Sequence, residues 1–165
     1  MRSAPLFILV LLFCGVLQAQ SLSFIGLPEV SFGMKLSALP NHQLIMDTSS
    51  AYNDTALYIA NTRCIMYYQQ NQNLHLKGFD ASRIEYEFCD SALGYVFIYV
   101  SGKENLTHAL DTLKAEFKHL GCGKNTPLTE CTLMDAHNRK MRVIIRVNPA
   151  KNEMNFVLIP RKAAQ

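Results

Sequence analysis

The chain has 165 residues, of which 49% are hydrophobic and 18% charged, and its formal net charge is +3. So small a charge bias excludes the basic footprint of a nucleic-acid binder or of a surface steered towards anionic lipid. The apolar and aromatic content is that of a chain able to bury a core, which excludes intrinsic disorder.

The first residues read as an export signal. Arg2 gives a positive start, Leu6 to Phe13 form an unbroken apolar run, and the stretch turns small and polar at Gly15 and at Gln18-Ala19-Gln20. Charged start, apolar centre and small-residue exit are the three parts of a secretory signal. The run is shorter than the roughly 18 to 20 apolar residues of a membrane-spanning helix. Cys14 comes directly after the bulky Phe13, where a bacterial lipobox has a small residue, so it reads as filler of the signal centre. We expect residues 1–19 to be a signal peptide and residues 20–165 a single α+β domain, with no membrane span after cleavage. The mature length of about 145 residues suits one ordinary domain.

The mature chain opens with an extended segment, Phe24 to Phe32, broken by Gly26 and Pro28, and Gly33 and Pro40 punctuate the next stretch. Asp47 to Ser50 and Asn53-Asp54 carry turn chemistry. Strands are expected at Ala56 to Ala60 and at Cys64 to Tyr68, and a short one near Leu74 to Leu76, after the polar loop Gln69 to Asn73. Arg83 to Phe88 alternates strictly, with Ile84, Tyr86 and Phe88 on one face and Arg83, Glu85 and Glu87 on the other. That pattern predicts a strand with one wet face. A tight turn at Asp90-Ser91-Ala92 leads to Leu93 to Val100, which is apolar on both faces and predicts a central strand.

A helix is expected over residues 105–120. Leu106, Leu110, Leu113, Phe117 and Leu120 recur at steps of four and three, which puts them on one stripe. Ser101 and Glu104 are spaced as a capping box, Asn105 is an alternative cap, and Gly121 stands where a left-handed stop belongs. Strands are then expected at Thr129 to Leu133, Met141 to Val147 and Asn155 to Ile159, the last two joined by a turn at Asn148 to Asn152 and the last stopped by Pro160. The predicted fold class is α+β, an antiparallel sheet with one main amphipathic helix packed on it.

Cys64, Cys89, Cys122 and Cys131 survive cleavage. An even number in an exported chain predicts disulfides. The preferred pairing is Cys64 with Cys89 and Cys122 with Cys131. Zinc spacing is missing, since no C-x-x-C pair occurs.

The standard catalytic motifs do not fit: there is no G-x-S-x-G, no phosphate-binding glycine loop and no H-E-x-x-H. His108 and His119 would share a helix face but stand about 16 Å apart by helical rise, too far to hold one metal. His42, His75 and His137 complete the five histidines. Asp135 and His137 read as part of a solvated hairpin, and Cys89-Asp90 as a strand end. Glu85 and Glu87 could serve as paired carboxylates, about 7 Å apart. The same pattern is the ordinary outer face of a strand, with Arg142 and Arg146 as cross-sheet partners. Adjacent Tyr67 and Tyr68 should point to opposite faces, while Tyr95 and Tyr99 share one. No catalytic, cofactor or metal residue is assigned, and no cofactor is expected. Asn53-Asp54-Thr55 and Asn105-Leu106-Thr107 are formal glycosylation sites, relevant in a eukaryotic host only.

Val30 to Met34, the pair Ile84 to Phe88 and Leu93 to Ile98, and residues 105–121 together resemble small exported bacterial envelope proteins of the BamE and beta-lactamase-inhibitor-protein type. The pattern departs after Met34, where Pro40 interrupts a segment that is helical in those proteins. The resemblance implies an envelope α+β domain, often a binding module, and carries over no functional residue. The expected function is a non-enzymatic exported binding or accessory domain of the bacterial cell envelope, periplasmic or secreted, whose partner is another envelope or secreted protein. The alternatives are a secreted inhibitor of another protein and a small hydrolase using the glutamates or the His137 loop.

Overall fold

The computed structural model describes residues 21–47, 64–125, 128–135, 137 and 141–160. The signal segment 1–19 and the strand expected at Ala56 to Ala60 lie outside them.

In chain order, β1 (Ser21–Leu22) and β2 (Leu27–Ser31) flank a 3-10 turn at Ser23–Ile25, and a second such turn spans Leu36–Ala38. Next come β3 (His42–Asp47), β4 (Cys64–Gln69), β5 (His75–Leu76), β6 (Phe79–Asp80), β7 (Arg83–Cys89) and β8 (Ala92–Ser101). The helix α1 (Lys103–Glu116) leads to β9 (Phe117–Asn125), β10 (Leu128–Asp135), β11 (Met141–Asn148) and β12 (Glu153–Pro160).

Eight strands form one antiparallel sheet in the order β3-β4-β7-β8-β12-β11-β10-β9. The chain builds one half from β3 to β8, crosses through α1 to the far edge, and returns by three hairpins until β12 pairs with β8. The β7–β8 turn is set by Asp90 at φ 51° and Ser91 at φ 68°. Two consecutive positive φ angles give the twist that a two-residue hairpin loop needs.

The expected α+β layering is corrected by the balance of elements. Among the described residues, twelve strands and one α-helix of 14 residues make a mostly β protein whose helix is an accessory to the sheet. The largest single change falls on Phe117 to Leu120, expected as helix and found as strand. The C-cap is Phe117, already extended at φ −134° and ψ 146°. Its ring packs edge-on against Phe24 at 5.7 Å. Gly121 and Gly123 are poor helix formers, while β10 offers Phe117 to Asn125 a complete set of backbone partners. The register shifts between Thr132 and Leu133, so Leu120 is the extra residue of a bulge and Gly121 stops no helix.

The start of α1 is also different. Ser101 belongs to β8, where it pairs with Glu153, and makes no capping box. Gly102 is the N-cap at φ 89°, a conformation that favours glycine, and its N–H bonds to Asn152 O in the β11–β12 turn at 3.0 Å. Asn105 serves another element. Its Oδ1 accepts from Asp80 N at 2.8 Å and its Nδ2 donates to Asp80 O and to Ser101 O, which ties β6 to the helix.

The main core lies between one sheet face and α1 with the N-terminal segment. Leu106, Ala109 and Leu113 of the helix are buried in one apolar cluster with Ile84, Tyr86, Ile98, Phe156 and Leu158. Each buried large apolar side chain contributes about 1.5–3 kcal/mol. Gly26 makes the close approach that seats this segment: a Cβ there would stand 3.1 Å from Lys77 N. The opposite sheet face carries a second apolar cluster of Met66, Phe97, Ile144, Val157 and Ile159, with Tyr95 and Tyr99 packed on it.

Candidate functional site

That second face overturns the wet-face reading of β7. Glu85 is 4% exposed and Glu87 is fully buried, because their neighbours on the sheet are the apolar cluster and not water. Glu87 stands in register with Met66 on β4 and Tyr95 on β8. Glu85 accepts from Tyr99 Oη at 2.8 Å and pairs with Arg83 Nε at 2.9 Å. A buried carboxylate is tolerated where such partners replace its water. Arg142 and Arg146 are not its cross-strand neighbours, since β8 and β12 separate β7 from β11.

Arg83 is the centre of the arrangement. Residues i and i+2 of a strand share a face, so Arg83 reaches Glu85 along β7 while its guanidinium carbon lies 4.1 Å from the centroid of the Tyr99 ring on β8. Cation–π contact and ion pair together hold the side chain in one place. Burial raises the Tyr99 hydroxyl to about 12, the bond to Glu85 adds to the rise, and Arg83 partly offsets it. Burial also raises Tyr95, with Glu87 adding to the rise and Arg142 opposing it.

Arg83 separates two depressions. One, of about 640 Å³, crosses β7, β8, β12 and β11 and is lined by Tyr99, Asn155, Arg146, Asn148 and Glu153. The other, of about 520 Å³, lies towards β4 and is lined by Tyr68, Gln69, Asn71, Gln72 and Glu85. Both include Ser82 and Arg83, so they form one groove. Register explains the lining. Arg83 faces Tyr99, Tyr99 faces Asn155 and Asn155 faces Arg146, which puts all four on one row across four strands. Three strand spacings separate the ends of that row by about 14 Å. Asn148 Oδ1 is buried at one end of the groove without a hydrogen-bond partner.

The remaining sequence candidates are scattered. Cys64 and Cys89 form a disulfide across the paired strands β4 and β7, which leaves Cys89 no nucleophilic role. Closing that loop is worth about 3.5 kcal/mol in the chain-entropy treatment. Cys131 is also disulfide-bonded, and its register partner on β9 is Cys122. His119 lies on β9, not on the helix with His108. His108 is within 4.0 Å of Glu104, His75 pairs with Asp80 at 2.6 Å, and His42 Nδ1 lies 2.7 Å from Leu39 O. His137 reaches Glu116 at 3.6 Å, and Glu116 also faces Lys77 at 3.6 Å, so the β10–β11 loop is tied to the end of α1. Asp135 ends β10 opposite Phe117. Among the described residues no group of three or more His, Cys, Asp or Glu is placed to hold a metal. Tyr67 packs on Phe88 in the main core, and Tyr68 donates to the Gln43 side chain on the other face.

Sequence reasoning missed Arg83, Ser82, Asn148 and Asn155 as site residues. Only the pairing of β8 with β12 brings Asn155 beside Tyr99. No family model, no curated protein and no solved structure matches the chain. Among the described residues no helix is long and apolar enough to cross a membrane.

Proposed function

We propose that this protein is a non-enzymatic binding or accessory domain, exported to the bacterial envelope or secreted, that engages its ligand through the groove divided by Arg83. The observation that carries this reading is the fixed Arg83–Glu85–Tyr99 network standing between two adjoining depressions. Pockets of about 300–1,000 Å³ with a few convergent polar groups are the usual form of a ligand site. Export is supported by the signal-like start of the sequence and by the Cys64–Cys89 disulfide, a bond that persists in oxidising compartments. A hydrolase built on Glu85 and Glu87 finds no support in the geometry, because Glu87 is fully buried and Glu85 is committed to Tyr99 and Arg83.

The test is site-specific photo-crosslinking in the producing host. A photoreactive residue at Asn155 or Ser82 should capture a ligand or partner, whereas one at Asp111 on the exposed side of α1 should not. Capture from Asp111 alone, or a hydrolytic activity lost on Glu87→Gln or His137→Ala, would sink the reading. Intact mass of the same material should start at Gln20 and contain no thiol at Cys64 or Cys89.

A further inference from the structure

Resting on the groove reading, we infer that the ligand is a linear, uncharged oligosaccharide laid along the groove from the β4 side across β7, β8, β12 and β11. Four features of the groove select this chemistry.

The first is its position. The groove crosses strands inside the sheet, whose backbone groups are already paired in the ladder. A peptide cannot add there as an extra strand, which is the usual way an extended chain gains affinity from a sheet. Recognition has to come from side chains.

The second is the chemistry of those side chains. Asn71 stands on one side of Arg83, and Asn148 and Asn155 on the other. Each amide offers a donor and an acceptor in one plane, which matches the vicinal hydroxyls of a sugar ring. Asn148 Oδ1, buried and unpartnered, is an acceptor placed for a ligand O–H.

The third is charge. The two arginines of the groove, Arg83 and Arg146, are matched by two carboxylates, Glu85 and Glu153. Glu85 is bonded directly to Arg83. The groove therefore has no net formal charge with which to favour an anion.

The fourth is size. The two depressions, of about 640 and 520 Å³, adjoin end to end and exceed the needs of a single small molecule. The ring of Tyr68 borders the second depression as a stacking surface for one unit of such a chain, while one face of the Tyr99 ring is covered by Arg83.

The experiment is isothermal titration calorimetry of the purified full-length protein. The probes are two neutral hexasaccharides, β-1,4-linked glucose and β-1,4-linked N-acetylglucosamine, with a galacturonate hexasaccharide and a mixed-charge hexapeptide as contrasting ligands. We expect at least one neutral hexasaccharide to bind with a Kd below about 1 mM. Asn155→Ala should weaken it by about tenfold through the lost hydrogen bonds, with an unchanged thermal midpoint as the check on folding. Asn148→Ala serves as the second variant should Asn155→Ala unfold. Binding of the uronate or the peptide alone, weakened by Asn155→Ala, overturns the ligand class and leaves the groove reading standing. Absence of binding by either neutral probe also overturns the ligand class. Neutral binding indifferent to both variants overturns the groove reading as well.

Discussion

The two faces of the eight-stranded sheet are built from the same strands and solve different problems. The helix side is an apolar core in which Ile98, Phe156, Leu158 and Leu113 are all essentially inaccessible. The opposite side also buries apolar residues, Val157 and Phe97 among them, but mixes them with Glu85, Glu87, Tyr95 and Tyr99. Packing specifies the first face. On the second, hydrogen bonds and an ion pair must be satisfied together, and those same bonds fix the side chains that line the groove.

The contrast breaks most visibly on the helix side. Phe156→Ala removes a fully buried ring at the centre of the core and should cost about 3–5 kcal/mol, measured by urea unfolding. On the groove side, Glu85→Ala leaves the Tyr99 hydroxyl and Arg83 without their shared acceptor and should cost about 1–3 kcal/mol. Its distinguishing effect is local: Arg83 loses its anchor, so ligand capture at Asn155 should fall even where the domain stays folded. A Phe156→Ala protein that remains folded should retain the groove. If the two variants behaved alike in stability and capture, the two faces would not be separate devices.

A smaller effect is expected at the helix start. Asn105→Ala removes the side-chain bonds that hold Asp80 and should cost about 1–2 kcal/mol. Hydrogen exchange should rise at Asp80 and not at Asn155. The same bonds argue against glycosylation of Asn105 in the folded protein, since its amide is in use.

The smallest effect is a pH dependence confined to the groove face. The folded Tyr99 hydroxyl is raised from 10.0 to about 12, so between these values the folded state holds a proton that the unfolded chain releases. Stability contributed by neutral Tyr99 is complete below pH 10 and declines as pH rises towards 12. Tyr99→Phe should flatten that part of the alkaline unfolding curve, monitored by circular dichroism. An unchanged curve would place the alkaline sensitivity elsewhere.

Much of the strand content was legible in residue order. β7, β8, β11 and β12 emerge from alternation and β-branched runs, and the Cys64–Cys89 disulfide matches the pairing preferred from sequence. Leu106 and Leu113 face the core, as their spacing requires, because helical periodicity is a local property. The end of the helix was not legible. Phe117 and Leu120 continue the same stripe, and the choice between another helical turn and β9 depended on whether β10 was present to pair with it.

What the sequence determined by itself is what depends on neighbours along the chain: strand periods, turn chemistry and the helical stripe. Tertiary structure alone decided the dominance of the sheet, the burial of Glu85 and Glu87, and the gathering of Arg83, Tyr99, Asn155 and Arg146 into one groove. The physical reason is that alternation tells which residues share a face but not what the face meets. Register between β8 and β12, brought together from residues 92–101 and 153–160, sets which side chains become neighbours, and no local pattern encodes that pairing.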